Sequence, residues 1–386
     1  MPPEAIPVAA VLTAYCQGLH ADVLVGKILQ GWKQDGGPGP ALKLASMYVD
    51  QFPEQDLARE LAAKHGVPIF GTIEEALTLG TGRIAVEGVI SVGEHGDYPW
   101  NDKEQHLYPR RRFFEQITDA LAGHDRIVPV FSDKHLGPAW SDALWMYERA
   151  RQMQLPFMAG SSMSVSFREP ELDLPMGCQI EAAVGIGYSG LDIYGSHTLD
   201  ALQCLLERRQ SAETGVQWVQ CLQGDAMWQA VDDGLVDREA LEAALKVTPL
   251  NKGVDMRAVD RAALFLFQYL DGLRAGVLML EGFAGGISAA VRIRGQARPL
   301  ATSFREQREP RHPQFAYLLK AIERMMHTGR PSYPVERTLL ISGILDRALT
   351  SRFQGHQKLE TPELAIDYKP VNYPHAPHPD LSSDPR

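Results

Sequence analysis

Hydrophobic positions in the first part of the chain fall into two alternating rhythms. Residues 6–14 form an almost unbroken apolar run of strand length, and across residues 20–32 the apolar positions recur at helical spacing. Asp35-Gly36-Gly37-Pro38-Gly39-Pro40 interrupts the pattern, after which residues 42–49 predict a second strand that ends at Asp50. Residues 54–65 predict an amphipathic helix closed by Gly66, which tolerates the left-handed backbone common at helix ends. A short strand over 68–70, a capping box at Thr72-Ile73-Glu74-Glu75 and a strongly apolar strand over 84–92 follow. Two further strands, 127–131 and 156–159, flank a helix over 140–152 in which Ala143, Met146, Tyr147 and Ala150 share one face. Strands alternating with helices predict a doubly wound parallel α/β sheet, Rossmann-like, over residues 1–160.

Beyond residue 160 the rhythm changes. Strands are predicted at 216–222, 263–269, 275–281 and 289–294, with a helix at 198–208 and a hairpin signal at Asp271-Gly272. Residues 161–352 therefore predict an α+β domain with a mostly antiparallel sheet, closed by helices over 315–326 and 335–350. In the extension 353–386, the stretch 370–386 is rich in Pro, His, Ser and Asp without periodicity, which predicts a loose or partner-wrapping arm.

Composition narrows the function class. The 386 residues carry 38 Lys and Arg against 48 Asp and Glu, a formal charge of -10, so no footprint for a polyanion is present and nucleic acid is excluded as a partner. Arg110-Arg111-Arg112 is the local exception, read as a solvated or salt-bridged helix start, with an anion or subunit contact as the other reading. Cys16, Cys178, Cys204 and Cys221 are widely spaced, without a CxxC pair, so neither a zinc finger nor a disulfide framework is indicated. No stretch approaches the roughly 18 apolar residues that span a bilayer, and the start lacks a signal-peptide pattern. A cytoplasmic protein without membrane partners is expected.

Two strand ends carry the candidate chemistry. Glu94-His95-Gly96-Asp97 follows the strand 84–92, and Asp133-Lys134-His135 follows the strand 127–131, at the carboxyl edge where open α/β sheets bind ligands. Imidazole nitrogens and carboxylate oxygens converging on one crevice suit a divalent cation such as Mn, Zn or Fe. The expected ligands are Glu94, His95 and His135, with Glu181 contributed from the second domain. His197 is a further ligand candidate there. Lys134 and Asp133 would then supply electrostatic and acid-base support. Loop histidines hydrogen-bonded to neighbours are the plainer reading. Trp100, Tyr98 and Tyr108 are candidates to stack on a sugar ring or to pack in the core. Ser161 and Ser162 either touch substrate hydroxyls or only turn the chain. For His106 and His312 a structural or surface role is expected, and Met325-Met326 reads as helix packing.

Four ordered segments resemble the Gfo/Idh/MocA (glucose-fructose oxidoreductase-like) family of sugar and cyclitol dehydrogenases, and the resemblance covers nearly the whole chain. They are Tyr48-Val49-Asp50 with the following helix and Thr72 to Leu77, Ser132-Asp133-Lys134-His135 in place of an E-K-P motif, Gly195 to Asp200 in place of D-x-G-x-H-x-x-D, and His327 to Pro331 leading into a closing helix that ends at Ser351. The resemblance implies a substrate hydroxyl served by Lys134 and His197, a nicotinamide cofactor whose ribose meets Asp50, and a homo-oligomer. The chain departs from the family at two places. The three glycines of the phosphate loop, counted back from His20, fall on Leu12, Ala14 and Gln17, and the Asp expected four residues before His197 is Ile193. Asp192, one position earlier, is rotated about 100° around a helix and would not replace it. The expectation from these departures is metal-dependent hydrolysis, elimination or isomerisation of a small polyhydroxylated substrate. The alternatives are an NAD(P)-dependent sugar or cyclitol dehydrogenase with an atypical phosphate loop, and a non-catalytic sugar-sensing protein.

Overall fold

The computed structural model describes residues 4–377. Six parallel strands, β1 (Ile6–Leu12), β2 (Leu42–Val49), β3 (Ile69–Phe70), β4 (Gly88–Val92), β5 (Val130–Asp133) and β6 (Phe157–Gly160), form the first sheet in the order β3-β2-β1-β4-β5-β6. Their cross-overs are α1 (His20–Gln30), α2 (Ala58–His65), α3 (Ile73–Thr78), α4 (Arg110–Gly123) and α5 (Trp140–Gln152). The apolar runs are unbroken because both sheet faces are covered: all five residues of β4 are buried. Order reverses between β1 and β4, so the crevice of this sheet opens above the carboxyl ends of those strands. Thr72 caps α3 as its sequence predicts, its hydroxyl accepting from the Glu75 amide while Glu75 accepts from the Thr72 amide.

The second sheet has eight strands in the order β14-β9-β10-β11-β8-β12-β13-β7. They are β7 (Phe167–Glu169), β8 (Ile180–Gly187), β9 (Val216–Gln223), β10 (Ala263–Tyr269), β11 (Arg274–Met279), β12 (Ile287–Ile293), β13 (Leu300–Arg305) and β14 (Leu359–Glu360). Pairing is antiparallel except between β8 and β11, so the sheet is mixed but mostly antiparallel. On one face lie α6 (Ile193–Leu206) and α10 (Glu336–Phe353), facing the first sheet. On the other lie α7 (Gly224–Asp232) and α8 (Arg238–Val247), whose Met227, Trp228, Leu241 and Ala244 bury Leu264, Leu266, Leu278 and Ala290. The long helix α9 (Pro313–Thr328) packs against α1 of the first half.

One loop ties the halves together. The loop 93–109 leaves β4 and crosses to the second half, where the His106 amide donates to Asp192 Oδ2 at 2.9 Å, Lys103 pairs with Asp346, and Arg352 Nη2 donates to the Lys103 carbonyl at 3.3 Å. The chain after α10 first adds β14 beside β9 and is then held by residues of the second half. Tyr368 Oη donates to Glu207 Oε2 at 2.8 Å, and the Ala376 amide donates to the Val165 carbonyl at 2.9 Å. The arm expected to be loose or partner-wrapping is held at His375, which pairs with Glu171, and at Ala376, and the stretch beyond residue 377 lies outside the described residues. Among the described residues, no helix is long and apolar enough to cross a membrane.

Candidate functional site

Glu94 stands at the centre of the site, where two cations meet it in the interior. Its Oε2 lies 2.5 Å from Arg110 Nη2 and its Oε1 lies 2.8 Å from Lys134 Nζ, and all three side chains are buried. Gly93 makes this possible: a Cβ there would lie 2.7 Å from Cγ of Arg110, so only glycine lets the first residue of α4 tuck beneath the strand end. Burial pushes the Glu94 carboxyl up, but Lys134 and Arg110 outweigh it and hold the group well below the usual carboxylate range. Lys134 and His95 each follow a strand end with left-handed φ, 63° and 69°, conformations that cost a non-glycine residue of order 1 kcal/mol and gather at functional sites.

Around this ion cluster sit four imidazoles. His135 Nε2 lies 3.3 Å from Arg110 Nη1, and burial together with that guanidinium holds its pKa well below the ordinary histidine value. His20, the first residue of α1, places Nδ1 2.5 Å from Asp133 Oδ2. Its ring centroid is 5.2 Å from that of His95 and 6.1 Å from that of His197. His197, on α6, places Nδ1 2.5 Å from Ser161 Oγ. Burial, then Lys134 and His20, depress its pKa well below normal, and burial followed by His20 lowers that of His95 to about 4. The rings of His135, His197 and His95 are therefore neutral at pH 7.

Asp192 does not take the place of the carboxylate missing at Ile193. Its Oδ2 accepts from the His106 amide of the crossing loop, and burial raises its pKa to about 6. The aromatic candidates are engaged within the same loop: Trp100 stacks on His106 at 4.2 Å, His106 lies 4.0 Å from Tyr108, and Tyr98 Oη donates to Asp50 Oδ2 at 2.6 Å. The structural role expected for His106 is thus met.

The metal expectation is corrected by this geometry. Glu94 is neutralised by Lys134 and Arg110, and the Nε2 lone pair of His135 faces a guanidinium. Glu181 lies elsewhere, at the start of β8, 2.8 Å from Arg294 Nε in a separate groove. His95 keeps a buried Nε2 without a partner, but no group of three or more His, Cys, Asp or Glu side chains suited to a metal occurs among the described residues. Of the nominated residues, Asp133, Lys134, Glu94, His95, His135 and His197 do converge. Arg110, His20 and the pairing of Ser161 with His197 were not foreseen. One signal for Arg110 was present: three arginines in the first turn of α4 oppose the helix dipole, so each needs a carboxylate elsewhere. Arg110 has Glu94, Arg111 has Asp142 at 2.8 Å, and Arg112 has Asp50 at 2.7 Å.

The crevice above β1, β2 and β4 is a cavity of about 510 Å³ lined by Ala14, Cys16, Leu19, Phe52 and Asp97 among others, a volume ordinary for ligand sites. It opens at the amino end of α1, where backbone amides favour phosphate. Asp50 stands at the end of β2 as expected, yet its carboxylate accepts from Tyr48, Tyr98 and Arg112. Those bonds outweigh burial and lower its pKa. Gln51 bridges to the backbone of Asp97 through two hydrogen bonds of 2.9 and 2.8 Å. The crevice lies where the strand order reverses, and its end beside Asp50 is covered by side chains of this chain.

No family model matches the sequence, and no curated protein matches it. Solved structures do share its architecture. GenD2 from gentamicin A biosynthesis, solved in complex with NAD, superposes with a TM-score of 0.60 at 13% identity, over 93% of this chain and 97% of that one. Apo scyllo-inositol dehydrogenase from Lactobacillus casei gives 0.57 at 11% identity, over 93% and 99%. A putative myo-inositol dehydrogenase from Sinorhizobium meliloti gives 0.57 at 10%, over 92% and 99%. The chain shares the fold of these structures, which is of the Gfo/Idh/MocA type, over 92–93% of its length, at an identity that speaks for the fold alone.

Proposed function

We propose that this protein is an NAD(P)-dependent oxidoreductase acting on a hydroxyl of a small sugar- or cyclitol-like substrate. The observation that carries the reading is the convergence of Lys134, at the end of β5, with His197 on α6 beside the crevice at the strand-order reversal. These two residues come from different halves and meet where a substrate between the halves would lie. Lys134, oriented by Glu94, and His197, oriented by Ser161, hold and move the proton of the substrate hydroxyl. A bound nicotinamide would supply the hydride acceptor. The α1 amino end, Leu19 and Gln51 would line its phosphates and ribose. Arg112, with its side chain 43% exposed beside Asp50, would place a cation near a 2′-phosphate. In this reading the protein acts as a homo-oligomer.

Calorimetry with NAD and NADP, followed by assays of reduced nicotinamide with a panel of inositols and hexoses, tests it. Saturable binding of either cofactor, with turnover of at least one polyol, is the expected result. Absence of binding for both sinks the reading.

A further inference from the structure

The site contains two imidazoles whose inner nitrogens are engaged differently. His20 Nδ1 faces Asp133 Oδ2 at 2.5 Å, where the carboxyl oxygen accepts and Nδ1 carries the proton. His197 Nδ1 faces a hydroxyl, Ser161 Oγ, also at 2.5 Å. That oxygen already accepts the Met163 amide at 3.1 Å, as the cap of the turn Ser162–Val165, and its proton has no other acceptor among the described residues. The hydroxyl therefore donates to His197 Nδ1, which leaves the ring proton on Nε2. Neither Nε2 has a protein partner among the described residues, and the ring centroids are 6.1 Å apart, tilted by 40°.

We infer that Ser161 and Asp133 lock His197 and His20 into opposite tautomers, so that the site presents one donor, His197 Nε2–H, and one acceptor, His20 Nε2, to a ligand. The inference assigns Ser161 and Asp133 as positioning residues. A hydroxyl group is the chemistry that satisfies both, since it donates and accepts at once; a carbonyl or a carboxylate can satisfy only the donor. In this arrangement His20 supplies the proton acceptor that Ile193 cannot, a role assigned to no residue by the four sequence segments. This deepens the polyol-oxidoreductase reading and rests on it for the identity of the ligand. The tautomers themselves need neither cofactor nor substrate.

Long-range proton–nitrogen NMR of the full chain labelled with ring-15N histidine, at pH 7, reads both tautomers directly, with His20→Gln and His197→Gln assigning the signals. The expected spectrum shows His197 protonated on Nε2 and His20 on Nδ1. Either ring in the opposite tautomer, or either as a fully protonated imidazolium, overturns the inference. Ser161→Ala should let the His197 signals average between the two tautomers, and Ser161→Thr should restore the single one. An Ala variant that keeps the Nε2–H tautomer unmixed also overturns the role given to Ser161. Loss of folding in a variant leaves the wild-type spectrum to decide. A protein that shows the two tautomers but binds no nicotinamide would separate this inference from the oxidoreductase reading.

Discussion

The two ends of the crevice solve the same electrostatic problem in opposite ways. At the end of β4 and β5, Glu94, Lys134 and Arg110 are sealed from water, and each charge exists only because the others do. At the end of β2, Asp50 and Arg112 form a pair that solvent reaches, supported by two tyrosine hydroxyls. A buried ion pair contributes little net stability when intact, yet removing one partner is expensive, whereas an exposed pair is cheap to break. The buried end is therefore rigid and intolerant, and the open end can exchange its own side chains for a ligand.

Glu94→Gln is the sharpest way to break this contrast, because it leaves Lys134 and Arg110 facing each other without a counter-charge. Urea denaturation should show a loss of about 3–5 kcal/mol; a loss under about 1 kcal/mol would mean that water reaches the cluster. Lys134→Met should lower turnover by roughly 10²–10⁴-fold, the range of a lost acid-base group, while the protein still binds NAD in calorimetry.

Asp192 gives the buried end a pH signature. Its pKa is raised to about 6 by burial, so the folded state favours the protonated form. Its contribution to stability is complete below the unfolded pKa and is lost as pH rises through about 6. Wild type should thus lose about 2 kcal/mol relative to Asp192→Asn between pH 4 and pH 6. Parallel curves of the two proteins across that interval would contradict the placement of Asp192 in a dry environment. At the open end, Arg112→Ala should change stability by under about 1 kcal/mol and mainly alter the relative affinities for NAD and NADP.

The same contrast explains what the sequence made legible. Parallel strands buried on both faces leave unbroken apolar runs, so β1, β2 and β4 could be read, and their carboxyl ends located Glu94 and Lys134 correctly. β8, with the sequence IEAAVGIG, is built from small residues and lacks the β-branched density that marks a strand, and it went unread with α7 and α8. The site failed at its pairings. Glu94 and His135 have the residue types of metal ligands, and only the tertiary placement of Arg110, admitted by Gly93, shows that their lone pairs face cations. The nominations of Lys134 and His197 rest on chain order, which the fold respects.

The crossing loop 93–109 bears on the kinetics of any reaction here. It rivets the halves of the molecule, so a large hinge rotation would have to break His106 from Asp192 and Lys103 from Asp346. Passage of ligands is then left to local rearrangements such as the release of Tyr98 and Arg112 from Asp50, which belong to the nanosecond to microsecond range of side chains and loops. Turnover should accordingly be insensitive to added viscogen, unlike that of an enzyme whose rate is set by domains opening and closing.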